Sequence, residues 1–144
     1  MSAAASASGP GRVLVAVYAI LALAATARSG YQIATRFEEA PVAYLLSALA
    51  GVVYILATLA LALPGPAWRR VAWVTIGFEL AGVLVVGTLS IVAAAWFPHD
   101  TVWSWFGRGY LFVPLVLPIL GLLWLARSRR RERQAAGEAG RAAS

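Results

Sequence analysis

The chain has 144 residues, 61% of them hydrophobic and 12% charged, with a mean hydropathy of +0.77; soluble domains carry about 25% charged residues. A bilayer core of about 30 Å needs roughly 20 apolar residues per helix, so this composition lines about four spans and excludes a soluble catalytic domain tethered to one helix. The absence of cysteine excludes a disulfide framework, a thiol redox centre and a thiolate metal site.

Residues 1–11 (MSAAASASGPG) are small and polar, which predicts a flexible leader. Val13 to Ala27 is apolar, and the helical pattern continues to Thr35, giving a first span over about 13–35 with a polar outer third. Arg12, the apolar stretch and Ala25-Thr26-Ala27 also match a signal peptide cleaved before Arg28, an alternative that leaves three helices. The second span is expected at 42–63, closed by Pro64-Gly65-Pro66, which stops a helix and makes a turn. The third, 71–97, is interrupted only by Glu79 and ends at Pro98; the fourth, 107–126, is the shortest and carries Pro114 and Pro118. Residues 127–144 form a basic tail.

All twelve basic residues are arginine, and Arg127 to Ser144 holds six of them beside two acids. If the amino terminus is cytoplasmic, Arg12, Arg69, Arg70 and the tail arginines all lie inside, leaving Arg28, Arg36 and Arg108 near the outer face. The fold expected is therefore all-α: an integral membrane four-helix bundle with both termini cytoplasmic, short loops and a basic tail that meets anionic lipid. No aromatic or folded platform accompanies the arginines, which argues against nucleic acid as a partner.

Glu79 is the sharpest candidate. At 1.5 Å per residue from Val71 it sits about 12 Å into a core of about 30 Å. A carboxylate there costs several kcal/mol unless it is protonated, paired or watered, so it reads either as a proton or cation site or as a neutral group hydrogen-bonded to a neighbouring helix. Arg28 is the expected partner, roughly 10 Å shallower by the same rise, with Gln32 as a bridge and snorkelling to the headgroups as the alternative. Arg28, Gln32 and Arg36 recur every four residues and make one polar face with Tyr31 and Thr35.

Trp103, Trp105, Phe106 and Tyr110 surround Arg108 and read either as an aromatic clamp for a lipid or cationic ligand, or as rings resting at headgroup depth. His99 is the only histidine and stands beside Asp100, which makes neither a usual metal set nor a nucleophile arrangement, and no cofactor is implied. Ser47 and Gly51, and Gly77, Gly82 and Gly87, are small residues that admit close helix approach, either within the chain or to a second copy or another membrane protein.

RSGYQIATRFEEAPVAYLLSALA (Arg28 to Ala50), FELAGVLVVGTLS (Phe78 to Ser90) and DTVWSWFGRGYLFVPLVLPILGLLWL (Asp100 to Leu125) give the chain a resemblance to small four-span membrane proteins of high-GC actinobacteria. That resemblance implies an integral membrane location and no particular activity. In size and in its single membrane glutamate the chain is also similar to small multidrug-resistance transporters, but their essential Glu belongs to the first span and this one to the third. The functional expectation is a non-enzymatic accessory or assembly protein of the plasma membrane. Its alternative is a small proton-coupled transporter or channel using Glu79, with Arg28 and Gln32 along the access path.

Overall fold

The computed structural model describes residues 9–143 and is all-α. Four long helices, α1 (Gly9–Arg36), α2 (Pro41–Ala62), α3 (Pro66–Val92) and α4 (Val113–Ala143), are joined by short 3-10 turns at Phe37–Glu39, Ala94–Trp96 and Ser104–Tyr110. Helices α1 to α3 are each long and apolar enough to cross a membrane, and a fourth span exists if Ser104–Tyr110 and Val113–Ala143, bent by 98°, are taken together. Helices of this kind mark a small membrane protein. Apolar side chains such as Leu23, Val74, Val92 and Leu123 are more than half exposed around the outside, as expected where lipid or another apolar surface takes the place of water.

Proline sets where two helices begin. Pro41 and Pro66 stand in the first turns of α2 and α3, where a missing backbone donor costs nothing. Gly65 precedes Pro66 at φ 111°, a backbone conformation that favours glycine and turns the chain between α2 and α3. At the far end of α3 the backbone leaves the helix at Ala93, earlier than the span expected to residue 97, and Phe97 is buried. Helix α4 starts at Val113 rather than near residue 107, because Trp105, Phe106, Leu111 and Phe112 have left-handed backbone angles that no α-helix accommodates. It then runs without a break through the arginine-rich residues 127–143, whose Ala, Arg, Glu and Gln favour helix. The leader expected over 1–11 lies outside the described residues except for Gly9–Gly11, which open α1.

Helices α1 and α2 form the closest pair, and small residues explain why. Leu14, Tyr18, Ala22, Ala25 and Ser29 make a buried stripe on α1, facing Ala43, Ser47, Ala50, Tyr54 and Ala57 on α2. A Cβ on Gly51 would come 2.8 Å from Thr26 Oγ1. Because α1 and α2 are antiparallel, α1 begins at the end where α2 closes and α3 opens. The first charged turns of α4 line a common pocket with that α2–α3 turn.

The segment after α3 folds back into the helices. Val102, Trp103 and Ser104 are buried, the Trp103 ring lies over Gly82, and the Phe106 ring lies over Gly87. A Cβ on Gly82 would fall 2.6 Å from the Trp103 ring, so Gly82 and Gly87 accept aromatic rings rather than a neighbouring helix. Gly82→Ala is therefore expected to lower stability by about 1–3 kcal/mol through overpacking, whereas Gly77→Ala, inside the same helix with open space around it, is expected to raise stability by up to about 1 kcal/mol through helix propensity. Denaturant titration of both variants in detergent checks this, and equal stability of the two would contradict the docking of Trp103.

Candidate functional site in the helix core

Glu79 belongs to a stripe on α3 formed by Ala72, Ile76, Glu79, Val83 and Val86, all buried and spaced by three or four residues. The periodicity that aims the apolar members inward aims the carboxyl inward as well, and it has no exposure at all. Its partner comes from α1: the Tyr18 hydroxyl donates to Glu79 Oε1 at 2.6 Å. The second oxygen, Oε2, meets no donor among the described residues.

Around this pair the other helices close. The Tyr54 ring from α2 lies 6.3 Å from the Tyr18 ring, tilted by 48°. Trp103 Nε1 donates to the Tyr54 hydroxyl at 2.8 Å, so the infolded segment is hydrogen-bonded to α2 while its ring rests on α3. From α4, a Cβ on Gly121 would lie 3.6 Å from the Tyr18 hydroxyl and 3.3 Å from Ile76. A larger side chain at 121 would press on the donor itself. Tyr18, Glu79, Tyr54 and Trp103 thus bring a polar residue from α1, α3, α2 and the 101–110 segment into one interior cluster.

The expected partners of Glu79 are elsewhere. Arg28 is exposed, and neither a hydrogen bond nor an ion pair joins it to Glu79. Gln32 is half-buried, with Oε1 enclosed and without a hydrogen-bond partner among the described residues. Arg36 lies over the Tyr31 ring at 5.8 Å. The polar face of α1 is therefore present as a row, but Glu79 is met lower down the helix, by Tyr18. Tyr18 lies about 7.5 Å past Val13 and Glu79 about 12 Å past Val71 at the common helical rise, a difference that the length of a tyrosine spans. Its hydroxyl is, with Thr26, the polar exception in Val13 to Ala27, and that exception at matching depth was the signal available.

The aromatic segment divides in two. Trp103 and Phe106 turn inward onto α3, and Gly107, at φ 86° and packed against Pro114, permits the reversal. Trp105 and Arg108 turn outward, the guanidinium 4.6 Å from the ring centre, with Asp100 at 4.0 Å from Arg108. Tyr110 is half-buried against the core. Hydrogen bonds to Ser47 and Ser90 hold the segment in place: Ser47 Oγ accepts from the Val102 backbone at 3.3 Å, and Ser90 Oγ accepts from the Trp105 backbone at 2.9 Å. Nearby, His99 stacks on Tyr44 and reaches Glu39 at 3.4 Å, tying the α1–α2 turn to the exit of α3. Among the described residues no group of three His, Asp or Glu side chains is gathered as a metal-ion site.

Chemically, the Glu79 carboxyl is an acceptor met by one donor in an apolar enclosure, and leaving a buried polar group wholly unmet costs about 1–3 kcal/mol. Tyr18→Phe is expected to cost this much, while Tyr18→Phe combined with Glu79→Met, which removes both polar partners, costs less than the two single substitutions added together. Unfolding of the four proteins in one detergent measures the coupling, and strict additivity would mean that the two side chains do not interact. No family model, curated protein or solved structure matches the chain.

Proposed function

We propose that the chain is a four-span bundle of the plasma membrane, of the small actinobacterial type, with both termini cytoplasmic. In this reading it acts without catalysis as an accessory or assembly partner of other membrane proteins. Arginine placement supports the orientation, since the α2–α3 turn and the extension of α4 concentrate positive charge at one end. The observation that carries the functional reading is the enclosure of Glu79. The one carboxyl at membrane depth is without exposure, is held by Tyr18, and is not reached by Arg28. A group so placed serves as a pin between α1 and α3, and the apolar perimeter is left to meet lipid and partner helices.

A second reading rests on Glu79 Oε2. An enclosed oxygen without a donor is where a proton-coupled transporter would hold its proton or cation. Reconstitution into liposomes separates the two. Under the accessory reading neither the native protein nor Glu79→Gln supports pH-driven ion or substrate flux, and Glu79→Gln, which keeps an acceptor for Tyr18, still accumulates in the membrane. Flux by the native protein that falls at least tenfold in Glu79→Gln would overturn the accessory reading and establish the second.

A further inference from the structure

The end of the molecule opposite the aromatic segment carries a pocket of about 920 Å³ between the α2–α3 turn and the first charged turns of α4. This is within the size range of sites that hold small organic groups. Its lining combines apolar side chains that are themselves buried, Ala60, Leu61 and Leu125, with the half-buried Trp73 and Trp124. Four arginines complete it, Arg69 and Arg70 from α3 and Arg129 and Arg133 from α4.

These arginines have different tasks. Arg69 donates to Glu132, and this bond holds the Glu132 carboxyl below the usual carboxylate range. The pair braces the extension of α4 against the start of α3 and uses up the one acid in the lining. Arg70, Arg129 and Arg133 are exposed, and their guanidiniums make no hydrogen bond or ion pair with another described residue. Three arginines from two helices, their guanidiniums without a partner among the described residues, thus line one pocket with an apolar floor, at the level where the apolar runs of α2, α3 and α4 give way to charge. Guanidinium is suited to phosphate, which it binds through paired hydrogen bonds. Basic pockets between membrane helices at this depth hold acidic headgroups, and tryptophan favours the same level.

We propose that this pocket is a binding site for the headgroup phosphate of an acidic phospholipid, with Arg70, Arg129 and Arg133 as phosphate ligands and Trp73 and Trp124 beside the glycerol and upper acyl chains. The site rests on the membrane reading above. It differs from general attraction of a basic tail in requiring a particular three of the tail and turn arginines, held in register by Arg69 and Glu132.

The test uses the full chain in detergent micelles containing equal phosphatidylglycerol and phosphatidylcholine, with bound lipid read by native mass spectrometry. The native protein is expected to retain phosphatidylglycerol selectively. Arg70→Gln, Arg129→Gln and Arg133→Gln together should lower that retention by about tenfold or more, while Arg127→Gln, Arg130→Gln and Arg131→Gln, which remove equal charge outside the pocket, should lower it by less than about threefold. If the triple pocket variant does not accumulate, Arg70→Gln alone carries the test, with a loss of about threefold expected. Equal losses in the two triple variants would overturn the pocket in favour of a diffuse field. Inorganic phosphate that binds the native protein at low millimolar concentration and displaces phosphatidylglycerol would overturn the lipid assignment in favour of a soluble anion. Extraction of the native chain from membranes by alkaline carbonate would overturn the membrane reading itself, whereas a carbonate-resistant chain with no lipid selectivity overturns the pocket alone.

Discussion

A carboxyl group inside an apolar interior must be given a donor, and the single hydrogen bond from Tyr18 to Glu79 answers that requirement here. The need fixes more than two side chains. It sets the rotation of α1 and α3 about their own axes, since Tyr18 and Glu79 must meet at the same depth and the same point. It also sets the size of what can approach. Helix α4 comes close to the Tyr18 hydroxyl at Gly121, and α2 contributes a ring rather than an aliphatic chain. Tyr54 then needs a polar contact of its own, which Trp103 supplies.

That contact explains why the segment after α3 leaves the surface. Trp103 buries its ring against Gly82 and satisfies its N–H within the helices, which is the usual condition for burying an indole. The return path needs Trp105, Phe106, Leu111 and Phe112 at positive φ, each costing roughly 1–2 kcal/mol in an ordinary chain. Such angles persist where the surroundings determine them independently. Hydrogen bonds to Ser47 and Ser90, the seat of Phe106 on Gly87, and the packing of Gly107 on Pro114 do so here. The break in the fourth apolar element is thus a consequence of packing upstream of it.

Much of this fold is legible in the amino-acid sequence. Apolar run length locates the helices, and Pro41, Pro64-Gly65-Pro66 and Pro98 mark where the chain must turn. Hydropathy also places Glu79 at depth. It does not say which way a helix is rotated, because a run that is apolar on every side has little amphipathic signal, and so charge suggested Arg28 where geometry supplies Tyr18. The aromatic segment is ambiguous for a related reason: tryptophan and phenylalanine favour both headgroup depth and tight burial against glycine, and only the position of Gly82 and Gly87 relative to the ring distinguishes them. The extension of α4 looked like a tail because its composition changes at Arg127, although its residues are good helix formers.

Glu79 is a sealed contact between α1 and α3. Reaction of membranes with a hydrophobic carbodiimide, followed by peptide mass spectrometry, reads this directly, because the reagent enters lipid and modifies carboxyl groups it can reach. Glu79, without exposure in the folded protein, is expected to stay unmodified in the native chain and to react with the same reagent once the chain is unfolded in detergent. Stoichiometric modification of Glu79 in the folded native protein would contradict it and identify the carboxyl as an accessible site.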